Sequence, residues 1–140
     1  MDAEGEAVLC DFGLTRIKHE VTRTQTSIRE GSRLRYLAPE LTFGPESFRT
    51  TAKSDVYSLA ITFFHLSTLC TPFKELNEWA AADAARCRRR PEKFNAPRFL
   101  AGSFDVLWEL LELMWAHEKS ARPTMAVVVD ELQKILLPVT

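Results

Sequence analysis

Residues 54–66, with the sequence SDVYSLAITFFHL, predict a buried helix. Apolar side chains recur there at intervals of three and four residues, which is the spacing of one helix face. The members of this face are Val56, Leu59, Ala60, Phe63 and Phe64. Because Tyr57, Ile61 and Leu66 add apolar side chains to the other faces, we expect this helix to lie inside the protein.

Three further helices are predicted after this one in the chain. The apolar spacing indicates a helix around Glu75 to Arg88, a third from Phe104 to Trp115 and a fourth from Met125 to Leu136. The polar, aperiodic residues 15–32 indicate a long loop, and Val8–Cys10 favours a short strand after Gly5. The predicted fold class is therefore mainly α, with one short strand at the N-terminus.

The composition is that of an ordinary globular domain. The 140 residues are 46% hydrophobic and 26% charged, with a formal net charge of −1, so we expect about one domain and no nucleic-acid binding. No segment approaches the ~20 apolar residues that a membrane-spanning helix needs. The first six residues are not typical of a secretory signal, so we expect a cytoplasmic, intracellular location.

The cysteines and histidines do not indicate a metal site. They are scattered along the chain, and the cysteines are odd in number, which fits neither a disulfide framework nor a zinc-ligand spacing. These residues are Cys10, Cys70, Cys87, His19, His65 and His117. We therefore assign no zinc site and expect a reducing compartment.

Several short motifs follow one another in a fixed order along the whole chain. They are Asp11-Phe12-Gly13, Ala38-Pro39-Glu40, Ser54-Asp55-Val56-Tyr57-Ser58-Leu59-Ala60, Pro72-Phe73, Trp115-Ala116 and Ser120-Ala121-Arg122-Pro123-Thr124. In this order the chain resembles the protein kinase family from its D-F-G motif onward, and the tyrosine-kinase-like branch most of all. The resemblance implies a partial protein kinase domain over residues 1–140, with an activation segment at 11–40 and the helical C-terminal lobe at 41–137.

The resemblance also implies a nucleotide site at the first motif. Asp11 would bind Mg²⁺ that bridges the phosphates of ATP, since a carboxylate is a hard oxygen ligand. Phe12 would pack against the core and Gly13 would let the backbone change conformation, so that all three residues contribute to cofactor binding. A strand-end aspartate that caps a turn is the alternative for Asp11.

Three further residues have structural roles by the same resemblance. Glu40 is expected to form a buried salt bridge with Arg122, whose planar guanidinium suits a carboxylate; two unrelated solvated charges are the alternative. Asp55 has two candidate roles. Its position at the start of the buried helix makes it a candidate N-cap, and the resemblance implies that it accepts hydrogen bonds from backbone N–H groups of a catalytic loop, which these residues do not contain.

The polar loop carries candidate regulatory phosphorylation sites. In an activation segment, phosphate added to these hydroxyls would order the loop against arginines; the alternative is that they only solubilise an exposed loop. The sites are Thr22, Thr24, Thr26 and Ser27. Arg33 occupies the position where the family pattern before Ala38 has a hydroxyl residue, which argues against ordinary binding of a peptide substrate.

The motifs that would complete a kinase are not found in these residues. The sequence has no G-x-G-x-x-G loop, no V-A-I-K lysine and no H-R-D-x-x-x-x-N. The small lobe would thus be absent, and we expect a truncated chain that belongs to a Ser/Thr protein kinase family but is inactive alone. It would meet a protein substrate or a regulatory protein.

Two other interpretations remain open. One is a fragment whose protein continues upstream, and the other is a non-catalytic binding module of the pseudokinase type. The surface of such a module would be a basic cluster that binds an acidic protein, unless the cluster is only a solvated helix end. Its members are Arg86, Arg88, Arg89, Arg90 and Lys93.

Overall fold

A computed structural model describes residues 5, 8, 31–42, 50–93 and 102–136 of the chain. The chain divides into two compact units, residues 1–30 and residues 31–140. Apart from Gly5 and Val8, the first unit lies outside the described residues, and so does the rest of the strand predicted at Val8–Cys10. The fold described below is that of the second unit.

The second unit is helical, which confirms the predicted fold class. It contains five α-helices and two 3-10 helices among its described residues. The α-helices are α1 (Pro39–Thr42), α2 (Ala52–Thr68), α3 (Glu78–Arg86), α4 (Phe104–Met114) and α5 (Met125–Leu136), and the 3-10 helices are Gly31–Tyr36 and Lys119–Ala121. No helix within these ranges is both long and apolar enough to span a membrane.

Helix α2 provides the centre of the main core. Its buried face packs with α4, α5 and the aromatic residue after α4, and the rings of Trp108 and Trp115 meet edge to face with centroids 5.3 Å apart. The buried residues of α2 in this core are Val56, Tyr57, Ala60, Ile61 and Phe64. The helix is not buried on all sides, however, because Leu66 is 61% exposed and Thr62 also faces solvent.

The start of α2 differs from the prediction. The N-cap is Thr51 and not Asp55, since Thr51 has extended backbone angles and its hydroxyl accepts a hydrogen bond from the Ser54 amide at 3.2 Å. The Ser54 hydroxyl in turn accepts from the Thr51 amide at 2.8 Å. This reciprocal capping box satisfies two N–H groups at the helix start. Asp55 is left in the first turn, exposed to solvent.

Helix α3 is shorter than predicted, and its buried side consists of smaller residues than the prediction used. It begins at Glu78, because Asn77 is the N-cap and its side chain accepts from the Ala80 amide at 2.9 Å. Trp79, whose side chain contributes to the apolar spacing of the predicted helix, is 51% exposed. The buried face consists of small side chains, Ala81, Ala82, Ala84 and Ala85. Three of these, all except Ala82, form a second cluster with Phe73, separate from the main core.

Candidate functional site

Arg122 is a buried cation whose side-chain donors all have hydrogen-bond acceptors. It follows the second 3-10 helix, and its side chain is fully buried. A guanidinium has five N–H donors, and all five have acceptors. The bonds run from Nε to Ala116 O (2.8 Å), from Nη1 to Glu40 Oε1 (2.7 Å) and Lys53 O (3.0 Å), and from Nη2 to Glu40 Oε2 (2.9 Å) and His117 O (3.2 Å).

Glu40 lies in the first turn of α1 and meets Arg122 with both carboxylate oxygens. The two residues are 82 positions apart in sequence, so the pair joins distant parts of the second unit. Burial alone would raise the pKa of Glu40, but the hydrogen bonds and charge of Arg122 outweigh it, and the pKa is lowered. Glu40 is therefore ionised at neutral pH, which suits the bidentate geometry.

The ring of Tyr57 lies next to two guanidinium groups. Its centroid is 5.0 Å from the Arg122 guanidinium carbon and 5.3 Å from that of Arg90, distances at which cation–π attraction operates. Arg90 is held by the carbonyls of Trp115 (2.8 Å) and Ala85 (2.9 Å). The Tyr57 hydroxyl is buried without a hydrogen-bond partner in the described part of the chain, and burial raises its pKa.

An open cavity of about 330 Å³ lies beside the Glu40–Arg122 pair. It is lined by Pro39, Glu40, Arg86, His117, Glu118 and Lys119. The lining has two acidic and two basic side chains, so its charges largely balance. Burial and the nearby positive charges of Arg88 and Arg90 lower the pKa of His117, which keeps its ring neutral at neutral pH.

Arg35 is an anchoring residue that the sequence did not reveal. Its side chain is buried, and its guanidinium donates four hydrogen bonds to a single turn before and at the start of α3. The acceptors are Glu78 Oε1 (2.6 Å), Pro72 O (2.5 Å), Phe73 O (3.3 Å) and Leu76 O (3.2 Å). Three of these acceptors are main-chain carbonyls, whose direction depends on the folded turn, so no sequence pattern marks them.

The basic cluster near the end of α3 is largely neutralised. Four of its five members have an acidic partner, and the fifth, Arg90, points inward as described above. The pairs are Arg86–Asp83 (2.8 Å), Arg88–Glu118 (3.6 Å), Arg89–Glu75 (3.5 Å) and Lys93–Asp105 (2.8 Å). The cluster is thus a set of surface ion pairs and does not present a run of unpaired cations to an acidic partner.

The structure brings together only some of the residues singled out from the sequence. Glu40 and Arg122 are in direct contact, whereas the carboxylate of Asp55 is exposed at the start of α2. The nucleotide residues and the candidate phosphorylation sites lie outside the described residues. These are Asp11, Phe12, Gly13, Thr22, Thr24, Thr26 and Ser27.

Comparison with known proteins gives a consistent set of relatives. The dual specificity protein kinase shkC of Dictyostelium discoideum is 29% identical over 139 residues, which are 98% of this chain and 26% of that protein. The serine/threonine-protein kinase CTR1 of Arabidopsis thaliana is 29% identical over 138 residues, 97% of this chain and 15% of that protein. The human platelet-derived growth factor receptor beta is 32% identical over 140 residues, 95% of this chain and 12% of the receptor.

The chain thus spans between 12% and 26% of the length of these relatives. A family model described as protein tyrosine and serine/threonine kinase matches residues 1–132. Because that match covers nearly all of the 140 residues, the chain belongs to the protein tyrosine and serine/threonine kinase family.

Proposed function

We propose that these residues form part of a protein kinase domain that transfers phosphate from ATP to serine and threonine of a protein substrate. In this proposal residues 11–40 are the activation segment and residues 41–137 the helical C-terminal lobe. The observation that carries the proposal is the bidentate pair between Glu40, the last residue of that segment, and the fully buried Arg122. Such a pair fixes the end of a substrate-facing segment on a rigid support.

The preference for serine and threonine rests on the relatives. CTR1 is a serine/threonine-protein kinase and shkC a dual specificity kinase by name.

Asp11 has the hard oxygen donor that Mg²⁺ prefers, so we propose it as the residue that holds the metal of Mg–ATP. Thr22, Thr24, Thr26 and Ser27 are proposed regulatory phosphorylation sites in the segment.

We also propose a cytoplasmic location. It is supported by Cys70 and Cys87, which are free thiols, because unpaired cysteines are typical of a reducing compartment.

A polypeptide of these 140 residues is proposed to be inactive by itself. Phosphoryl transfer needs a base and a phosphate-binding lysine placed against the nucleotide. The sequence contains neither the H-R-D-x-x-x-x-N motif nor the V-A-I-K motif that supplies these groups. Activity is therefore expected only when residues outside this stretch provide them.

A graft tests the proposal. The corresponding part of the kinase domain of CTR1 is replaced by this chain, and phosphorylation of serine-containing peptides is measured. We expect an active graft that Asp11→Ala abolishes and Glu40→Gln weakens. The matched control is Glu118→Gln, which removes an exposed carboxylate at the same cavity and should leave activity unchanged. A folded but inactive graft would contradict the proposal.

A non-catalytic binding module is the second candidate. It is favoured by the main core, since a binding module needs a core of its own and fourteen of the described residues between Ala38 and Val128 are buried in this one. The neutralised basic cluster gives no support to an acidic partner. An inactive graft together with a cooperatively folding isolated chain would favour this second candidate.

A further inference from the structure

The segment Gly31–Tyr36, which ends one residue before Ala38-Pro39-Glu40, is too short to be stable by itself. It forms a 3-10 helix of six residues, and such helices have poorer hydrogen-bond geometry than α-helices. The amide of Leu37, just after it, reaches the Leu34 carbonyl only at 3.2 Å. Its conformation must therefore be held by contacts with other elements.

Among the described residues, three side chains of residues 31–40 form hydrogen bonds to other elements, and each bonds to a different part of the fold. The Tyr36 hydroxyl pairs with His65 Nδ1 of α2 at 2.7 Å, and Glu40 pairs with Arg122. The third is Arg35, the contact nearest the middle of the 3-10 helix. It is the only one of the three in which a single side chain binds several main-chain atoms of its partner element.

The partner of Arg35 is a turn that forms a cage for a guanidinium group. The carbonyls of Pro72, Phe73 and Leu76 and the carboxylate of Glu78 all lie within 3.3 Å of its nitrogen atoms. Phe73 has a positive φ of 51°, an uncommon conformation for a residue with a side chain. A planar fork can bind these acceptors at once, whereas the single ammonium of a lysine cannot span them.

We propose that Arg35 is a positioning residue that fixes the substrate-facing segment Gly31–Tyr36 on the turn Pro72–Glu78. The inference rests on the proposed function, because this segment meets a substrate only if the chain is part of a kinase domain. It makes α3 and its preceding turn a support of the activation segment. Changes in this turn are then transmitted to the residues just before Glu40.

Amide hydrogen exchange of the 140-residue chain, followed by NMR, tests this positioning role. The reporters are the Leu37 amide, bonded to Leu34 O, and the Leu76 amide, bonded to Phe73 O; the Asp55 amide, bonded to Thr51 O in α2, reports on the rest of the fold. In Arg35→Ala we expect exchange at Leu37 and Leu76 to rise about tenfold, with Asp55 unchanged. Added methylguanidinium should occupy the cage and reverse the rise.

Two further variants complete the experiment. Arg89→Ala removes an exposed ion pair to Glu75 in the same turn and should leave all three amides unchanged. Arg35→Lys keeps the charge, so it tests the proposal even where Arg35→Ala does not fold, and we expect the same local pattern on a smaller scale. Equal acceleration at Asp55, or none at Leu37 and Leu76, would overturn the proposal. Since the measurement needs no nucleotide, an inactive graft with this pattern intact would contradict only the proposed function.

Discussion

At the scale of single residues, the two partners of the Glu40–Arg122 pair contribute unequally to stability, because Arg122 uses all five of its donors. Glu40→Gln leaves three carbonyl acceptors around a buried guanidinium, whereas Arg122→Met removes the donor that bonds to those carbonyls and to the carboxylate. Breaking a buried pair costs about 3–5 kcal/mol. We expect Arg122→Met to reach that range and Glu40→Gln, whose carboxylate is a quarter exposed, to cost less, about 2 kcal/mol.

Urea unfolding of both variants measures this difference. Lys134→Met, which removes an exposed cation paired with Glu131, is the control for loss of a positive charge and should change stability little. Equal destabilisation by Glu40→Gln and Arg122→Met would show that the carbonyl bonds contribute nothing.

The same pair makes stability depend on acid. The pKa of Glu40 lies below its ordinary value of 4.5 in the folded protein, so its contribution is complete above that value and is lost as the pH falls through the folded-state pKa. We expect the difference in unfolding free energy between the wild type and Glu40→Gln to be constant between about pH 7 and 5 and to shrink below about pH 4.5. A difference that is unchanged at about pH 3 would contradict this assignment.

Tyr57 gives a prediction of the opposite sign. Its hydroxyl is buried without a partner in the described part of the chain, and an unsatisfied buried group costs about 1–3 kcal/mol. Tyr57→Phe keeps the ring beside both guanidinium groups and should raise the unfolding free energy by about 1 kcal/mol. Tyr57→Leu removes the ring and should lower it. A loss of stability in Tyr57→Phe would indicate that the hydroxyl is bonded.

At the scale of elements, the ends of helices separate what sequence reasoning can and cannot predict. The apolar spacing located α4 well, because its buried face contains large side chains such as Leu111 and Met114. It also gave the bounds of α5, which buries Val128 fully and leaves Val129 44% exposed. It placed the start of α3 too early and counted the exposed Trp79 among its apolar residues, whereas the core side of this helix is alanine. Small side chains carry little periodic signal, so packing decided which face is buried.

The start of α2 yields a direct test of the corrected N-cap. Thr51 accepts the Ser54 amide and Asp55 does not act as the cap. Thr51→Ala should cost about 1 kcal/mol, a typical loss for an N-cap. Asp55→Ala should cost less than about 0.5 kcal/mol, since only its interaction with the helix dipole is lost. Thermal unfolding of the two variants compares them, and a larger loss for Asp55→Ala would restore the original assignment.

At the scale of the whole molecule, the sequence motifs identified the family, but most of the buried hydrogen bonds that hold the second unit together were visible only in the structure. The pairing of Glu40 with Arg122 was expected from the resemblance, since both residues are part of recognisable motifs. The cage around Arg35 and the inward side chain of Arg90 were not, because both bind carbonyl groups. Contacts with main-chain atoms depend on the fold and leave no trace in residue types.

The two separate clusters of buried residues predict that the second unit does not open all at once. Helix α3 buries mainly alanines, while α2 buries Tyr57, Ile61 and Phe64, and the free energy of burial scales with apolar area, about 0.8 kcal/mol per methylene. We therefore expect α3 to open at a lower free energy than α2.

Ala81→Gly and Ala60→Gly form a matched pair, since both alanines are fully buried within helices. Each change costs about 1 kcal/mol. By native-state hydrogen exchange, Ala81→Gly should speed exchange only in α3, whereas Ala60→Gly should speed it in α2, α3, α4 and α5. Uniform acceleration by both variants would show instead that α3 and the main core unfold as one unit.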